Sequence, residues 1–131
     1  MLFVAPLCLA ALPLAAQDPV KVDPKHYKVE SENAQVRVLR IHYGPHEKSV
    51  MHSHPNSVVI PLADSRVRFT TPDGKTQERE MKANVSAWEA AETHNPENLT
   101  DKPIDAILVE LKAKAAAPAK MMHPPKKKST M

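Results

Sequence analysis

Cysteine and glycine are scarce in this sequence, and each shortage limits what the chain can form. Cys8 is the only cysteine among 131 residues, so no disulfide can form within the chain. It lies in the segment 1–16, whose removal would also exclude thiolate nucleophiles and cysteine-ligated zinc. Because there are only two glycines, we expect Asp64 and Asn84 to form hairpin turns, since these residue types tolerate left-handed backbone.

The segment 1–16 has no charged residue, is too short to span a bilayer comfortably, and is interrupted by Pro6 and Pro13. Its small residues Ala15 and Ala16 suit a cleavage site, so we interpret it as a secretory signal peptide. The alternatives are a retained membrane anchor and a buried strand. The interpretation predicts a secreted or periplasmic bacterial protein with no integral membrane span after processing.

Positive charge is concentrated at the end of the sequence. Residues 112–131 contain six lysines and no acid, whereas residues 18–111 contain twelve Lys and Arg against fifteen Asp and Glu, a net charge of −3. An acidic body excludes a nucleic-acid surface of the usual basic kind. Residues 113–131 have too few large apolar side chains to offset the cost of ordering them and are predicted to be a disordered basic tail.

Short β-type runs dominate the middle of the sequence, and no helix of useful length is visible. We predict a polar N-terminal arm at 17–34, with at most one strand at 27–29, and a single domain at 35–112. The predicted strands of the domain are 35–43, 57–62, 65–70, 75–82, 85–89 and 105–112. Apolar positions change face between Val38 and Leu39, which predicts a β-bulge there. Many short strands without helices predict an all-β antiparallel sandwich or barrel.

The pair His52-x-His54 is the strongest chemical signal. Residues two apart on a strand point to the same side, so both imidazoles can face one ion. His94, after the run around Trp88, can reach the same cavity. Three neutral imidazoles would leave positions open for water or substrate, the usual form of a catalytic metal site. Imidazole ligands leave the divalent metal open among iron, zinc, manganese, nickel and copper.

The order of Gly44, His52-x-His54, and His94 followed by Asn98 resembles the two motifs of the cupin superfamily, over residues 35–112. The chain is most similar to small single-domain bacterial cupins. The resemblance implies a single antiparallel jelly-roll β-barrel with one divalent metal inside its mouth. It also implies a small-molecule ligand, and a homodimer paired through sheet edges.

The chain departs from the family pattern at one ligand. The first cupin motif has a Glu four or five residues after its second His, where this chain has Val58 and Val59. The carboxylate ligand is therefore absent. Three-His sites occur in the superfamily, in thiol dioxygenases for example, so the metal site remains predicted.

Four further residues are accessory candidates near the predicted site. His46 is either a fourth ligand or substrate contact, or a solvated loop residue. Glu97 is either a nearby carboxylate or a surface charge. Trp88 is either a wall of the pocket or part of the core. Asn98 is expected to hold backbone near His94 rather than bind metal.

Three functions follow from these residues. The first is metal-dependent catalysis on a small molecule inside the barrel, by an oxygenase, lyase or isomerase whose catalytic residues the sequence does not assign. The alternative is a non-catalytic module that binds or senses a small molecule. The third is a stable scaffold in which the histidines are a relic.

Overall fold

The computed structural model describes residues 17–113, which form nine strands and one four-residue helix. The elements are α1 (Pro19–Val22), β1 (Tyr27–Glu32), β2 (Val36–Tyr43), β3 (His52–His54), β4 (Ser57–Pro61), β5 (Ser65–Thr70), β6 (Thr76–Met81), β7 (Ala87–Glu89), β8 (Glu92–Asn98) and β9 (Ile104–Leu111). Within this range no helix is long and apolar enough to cross a membrane. The predicted signal peptide at 1–16 lies outside the described residues, as does all but the first residue of the predicted tail at 113–131.

The strands form two antiparallel sheets, with the order β1-β2-β9-β4-β7 in one and β3-β8-β5-β6 in the other. The prediction of an all-β, antiparallel jelly-roll fold is confirmed. The sheets do not close into the expected barrel, because no ladder among residues 17–113 joins one sheet to the other. The edge strands β3 and β7 have only three residues each, which is too short to continue the pairing around a barrel.

Alternating burial along the strands produces the core between the sheets. In β9, Ile104, Ala106, Leu108 and Glu110 are buried while the residues between them are half-buried. The same period of two runs through β4 and β8, as expected for strands with one face inward. The inward row of β9 therefore contains a carboxylate among apolar side chains.

Strand β1 forms from the segment predicted as a polar arm. It pairs with β2 at the edge of the five-stranded sheet, and Tyr27 at its start is only 2% exposed. The pairing of β2 with β9 is regular along its whole length, so β2 itself has no bulge. The irregularity lies instead between Val29 and Ser31 of β1, opposite Leu39 and Val38. The predicted bulge is thus in the partner strand, and β2 keeps its apolar residues on both faces.

Turns occur where the sequence has residues that tolerate positive φ. Asn84 has a φ of 62° and Gly74 a φ of 83°. The Asp64 carboxylate accepts a hydrogen bond of 2.8 Å from the Ala83 backbone N–H, which ties the β4–β5 turn to the β6–β7 turn. The expectation of left-handed backbone is confirmed for Asn84, whereas Asp64 has no positive φ and contributes a side-chain hydrogen bond to its turn instead.

The outward face of the five-stranded sheet is apolar on its central strands, whereas Lys28 of β1 and Arg40 of β2 are charged. Four side chains lie side by side across its strands, because Val38 pairs with Val109, Val109 with Val58, and Val58 with Trp88. Trp88 is 58% exposed at the β7 edge. Trp88 is therefore neither a wall of the pocket nor part of the core, and both predictions for it were wrong. The reason is that β7 lies at the sheet edge with Trp88 facing away from the core.

Candidate metal centre

Two neighbouring strands bring the three predicted histidines together. His52 of β3 lies directly opposite His94 of β8, and His54 lies two residues along on the same side of β3. The ring centroids are 4.7 Å apart for His52 and His54, 5.2 Å for His52 and His94, and 5.3 Å for His54 and His94. One ring nitrogen of each lies within 4.8 Å of the others, so the three can hold one ion.

Each of these imidazoles has its Nδ1 atom beside an oxygen that can only accept a hydrogen bond. The pairs are His52 with the Val50 carbonyl at 2.8 Å, His54 with Glu110 Oε1 at 2.7 Å, and His94 with Glu92 Oε2 at 3.3 Å. Carbonyl and ionised carboxylate oxygens have no proton to donate, so Nδ1 carries the hydrogen in each ring. The lone pair is then on Nε2, the arrangement typical of metal-ligating histidines.

His52 provides the clearest sign that the cluster suits a metal. Its side chain is fully buried, and its Nε2 has no hydrogen-bond partner among the described residues. Burial and the neighbouring His54 lower the pKa of His52 to about 3. Burial, His54 and Arg79 lower the pKa of His94 to about 3 as well. Both rings are therefore neutral near pH 7, which is the form that binds metal.

A buried polar network lies behind His52. Asp23 accepts hydrogen bonds from the Ser49 hydroxyl at 2.5 Å and contacts His26 Nδ1 at 2.7 Å. The Ser49 oxygen lies 3.3 Å from His52 Nδ1. On its other side, His26 Nε2 lies 2.6 Å from Glu47. The network connects the candidate metal centre with the segment before β1, which the sequence analysis treated as a peripheral arm.

Glu47 ends this network near the surface. The Gly44 backbone N–H donates to its carboxylate at 3.0 Å, and Lys25 donates at 3.0 Å. With the contact to His26, these hydrogen bonds lower the pKa of Glu47 to about 2. A side chain at position 44 would crowd this carboxylate, since a Cβ there would lie 2.9 Å from Glu47 Oε1.

Two tyrosines line the space next to the histidines. The hydroxyls of Tyr27 and Tyr43 are hydrogen-bonded to each other at 2.5 Å. The ring of Tyr27 meets that of His52 edge-on at 4.8 Å between centroids. Burial raises the pKa of both tyrosines above the usual range, so both remain neutral.

His46 and Glu97 both lie away from the three histidines. His46 is exposed in the loop before β3, with a φ of 57°, and its Nε2 lies 2.5 Å from Asp101. His46 is not part of the cluster of three histidines, so its position agrees with a solvated loop residue. Glu97 is on the face of β8 opposite His94 and pairs with Arg68 at 3.5 Å. It acts as a surface charge, because odd and even residues of a strand point to opposite sides.

Asn98 lies on the same face of β8 as His94 but binds only protein backbone and a hydroxyl. Its amide donates to the carbonyls of Gly44 at 3.0 Å and Lys102 at 2.8 Å. Its oxygen accepts from the Thr100 backbone N–H at 2.9 Å and from the Thr100 hydroxyl at 2.8 Å. Asn98 therefore holds the neighbouring loops in place and does not serve as a metal ligand.

Two carboxylates at the site were missed by the sequence analysis. Val59 is buried where the family has its ligand Glu, but Glu92 and Glu110 approach the histidines from other strands. The sequence gives little signal for Glu110, because the run 106–109 before it is apolar at every position, and only the structure places Glu110 in the inward row of β9. The signal for Glu92 was its spacing of two from His94.

The space between the sheets forms a cavity that reaches the histidines. It leaves about 80 Å³ open to the centres of water molecules, enough for a small organic molecule. Its polar lining includes His54, His94, Glu92, Arg79 and Glu89. The remaining walls are mainly apolar, from Ile41, Val59, Phe69, Met81 and Leu108 among others. Few polar groups in an apolar enclosure are typical of small-molecule sites.

Solved structures of bacterial cupins resemble this chain. A cupin-domain protein from Bordetella pertussis Tohama I matches with a TM-score of 0.62 and 25% identity, over 66% of this chain and 92% of that protein. A conserved protein with a double-stranded β-helix domain from Klebsiella pneumoniae subsp. pneumoniae MGH 78578 matches with a TM-score of 0.53 and 18% identity, over 65% and 74%. No family model and no curated protein matches the sequence. The chain is a small cupin-fold protein.

Proposed function

We propose that this cupin-fold protein binds one divalent transition-metal ion through Nε2 of His52, His54 and His94. The observation that carries the proposal is the buried Nε2 of His52, which has no hydrogen-bond partner in the described chain. Leaving such an atom unpaired costs about 1–3 kcal/mol, a cost that a bound ion removes. Nitrogen donors alone suit iron, zinc, nickel and copper better than calcium or magnesium.

We further propose that the bound ion takes part in catalysis on a small molecule held in the cavity. When present, the ion supplies Lewis acidity and open coordination positions. The protein contributes the rest: Glu110 and Glu92 fix the imidazoles, and the apolar walls exclude bulk water from the bound molecule. Whether the reaction is that of an oxygenase, a lyase or an isomerase depends on the metal and substrate.

The first test is a metal titration of the wild-type protein freed of metal by chelation. We expect one equivalent of zinc, iron(II), manganese, nickel or copper to bind and to raise the melting temperature. At a free concentration of 100 times Kd, the stabilisation should be about 2.7 kcal/mol, because the ion binds the folded chain alone. If none of the five metals binds stoichiometrically or shifts the melting temperature, the proposal is wrong.

The competing function is a non-catalytic module that binds or senses a small molecule. It is favoured by the carboxylates nearest the histidines, since Glu110 and Glu92 are both engaged with an Nδ1 atom. A binding module and an enzyme differ in turnover. Ligand-dependent stabilisation of the metal-loaded protein with no product formed would favour the module.

We also propose that two copies of the chain pair through the outward face of the five-stranded sheet. Ile60 and Ile107 lie side by side on this face, in the row next to that of Val109, Val58 and Trp88. The apolar residues of this face form three rows on β2, β9, β4 and β7: Val36 and Leu111, then Val38, Val109, Val58 and Trp88, then Ile107 and Ile60. At about 4.8 Å between strands and about 7 Å between rows they cover roughly 270 Å². Two such faces would bury about 540 Å², which is the size of a weak interface. The rim carries both signs, with Arg40 paired to Glu30, so it can meet its own copy.

Sedimentation velocity tests this pairing. The wild type should sediment as a dimer at high protein concentration, and Trp88→Ala should weaken association by 10-fold or more, because exposed tryptophans are frequent anchors of interfaces. Val50→Ala is the matched control, since Val50 is an exposed apolar residue outside this face. A wild type that stays monomeric at its highest soluble concentration would contradict the proposal.

A further inference from the structure

Arg79 projects into the cavity beside the histidines. It lies opposite Val67 in the β5–β6 pair, and directly opposite residues point to the same side, so both face the interior. Its Cζ lies 4.2 Å from the centre of the Phe69 ring, which fixes the plane of the guanidinium. The Phe69 ring is in turn 5.1 Å from that of His94. A fixed positive group therefore borders the proposed metal centre.

The hydrogen bonds of Arg79 leave one edge of its guanidinium available. Nη1 alone donates to both oxygens of Glu89, at 2.9 Å each. Nε is buried and has no hydrogen-bond partner within residues 17–113. Nε and Nη2 form the side edge of the guanidinium, a planar pair of donors that matches the two oxygens of a carboxylate.

The rest of the cavity restricts what can reach this edge. Its walls are mainly apolar. The space of about 80 Å³ suits a short body. Glu89 offsets part of the charge of Arg79, and Glu92 would repel an anion from the other side of the cavity unless a metal ion balances it.

We propose that the cavity takes a small monocarboxylate with a short apolar body, whose carboxylate binds the guanidinium of Arg79 once the side chain turns its Nε–Nη2 edge toward the cavity. The proposal rests on the proposed function, because the metal ion would sit beside the body of the same molecule. A buried donor without a partner favours an acceptor over a neutral apolar ligand. Arg79 is thus a substrate-binding residue and not a metal ligand.

Calorimetric titration with propanoate and butanoate tests the proposal, using metal-loaded and metal-free protein. The neutral amides propanamide and butanamide serve as ligands of matched shape. We expect the carboxylates to bind at least 10-fold more tightly than the amides, and Arg79→Gln to abolish this preference. Arg79→Lys should also lose most of it, because an ammonium group cannot form the paired contact. Arg66→Gln is the control, since Arg66 is exposed on the outward face of β5.

Glu89→Gln is expected to have the opposite effect on carboxylate binding. It leaves the charge of Arg79 unbalanced, so carboxylate binding should become several-fold tighter. Metal content measured on the same samples separates the two proposals. Arg79-dependent carboxylate binding without any metal binding would overturn the proposed function and support this inference. Equal binding of carboxylate and amide, or of wild type and Arg79→Gln, would overturn the inference whatever the metal content.

Discussion

Replacing His52 by Ala should abolish stoichiometric metal binding while the protein stays folded. The side chain is fully buried at the centre of the cluster and supplies one of only three donors. We expect the affinity to fall more than about 100-fold, beyond the loss seen for residues that only orient a ligand. The fold should persist, because the variant also removes a buried nitrogen that has no partner. Metal content by mass spectrometry and circular dichroism measure the two effects.

His42→Ala is the matched control for this prediction. His42 is an exposed histidine of β2 whose Nδ1 lies 2.8 Å from Asp105, on the face away from the cavity. It should keep the metal content of the wild type. One ion per chain retained in both His52→Ala and His94→Ala would show that the metal binds elsewhere.

Glu110→Gln is expected to weaken metal binding about 10- to 100-fold. One oxygen of Glu110 accepts from His54 Nδ1, and the other accepts from Arg37 Nε at 2.7 Å. Burial by itself would raise the pKa of Glu110, but these two hydrogen bonds outweigh it and hold the pKa below the usual range. A carboxamide has the same shape but can donate to Nδ1. The His54 proton would then move to Nε2, where it blocks the metal.

The readout is a competition titration against a chelator of known affinity. Glu30→Gln is the control, because Glu30 is also paired with an arginine, Arg40, but lies exposed at the sheet edge. Exposed pairs of this kind contribute about 0–1 kcal/mol and should not affect the metal. A Glu110→Gln protein that binds metal as tightly as the wild type would show that the carboxylate has no role in orienting His54.

The local part of the site could be predicted from sequence, because it depends on a short-range rule. A spacing of two places His52 and His54 on one side of a strand. The predicted strand around Trp88 indicated that His94, which follows it, could reach the same cavity. Glu110 was not predicted, because the run 106–109 is apolar at every position and does not show which face of the strand is inward. The polar network behind His52 was not predictable, because Asp23 and Ser49 are 26 residues apart and are brought together only by tertiary packing.

Strand β8 shows why the sequence pattern did not predict every strand of the candidate site. Residues 92–98 contain Asn95, Pro96, Glu97 and Asn98, types that are uncommon in strands, so no strand was predicted there. The structure pairs this segment with β3 on one side and β5 on the other. Tertiary contacts override the weak local preference, as they do at Trp88, whose size suggested burial and whose edge position prevents it.

The central place of β9 in the large sheet also sets the order of assembly. This last strand of the described chain pairs with both β2 and β4, and Arg37 and Glu110 are 73 residues apart. Pairings of such long range form slowly, typically in milliseconds to seconds. During synthesis, His52 and His54 leave the ribosome long before Glu110 does. High-affinity binding of the proposed ion would therefore follow the docking of β9.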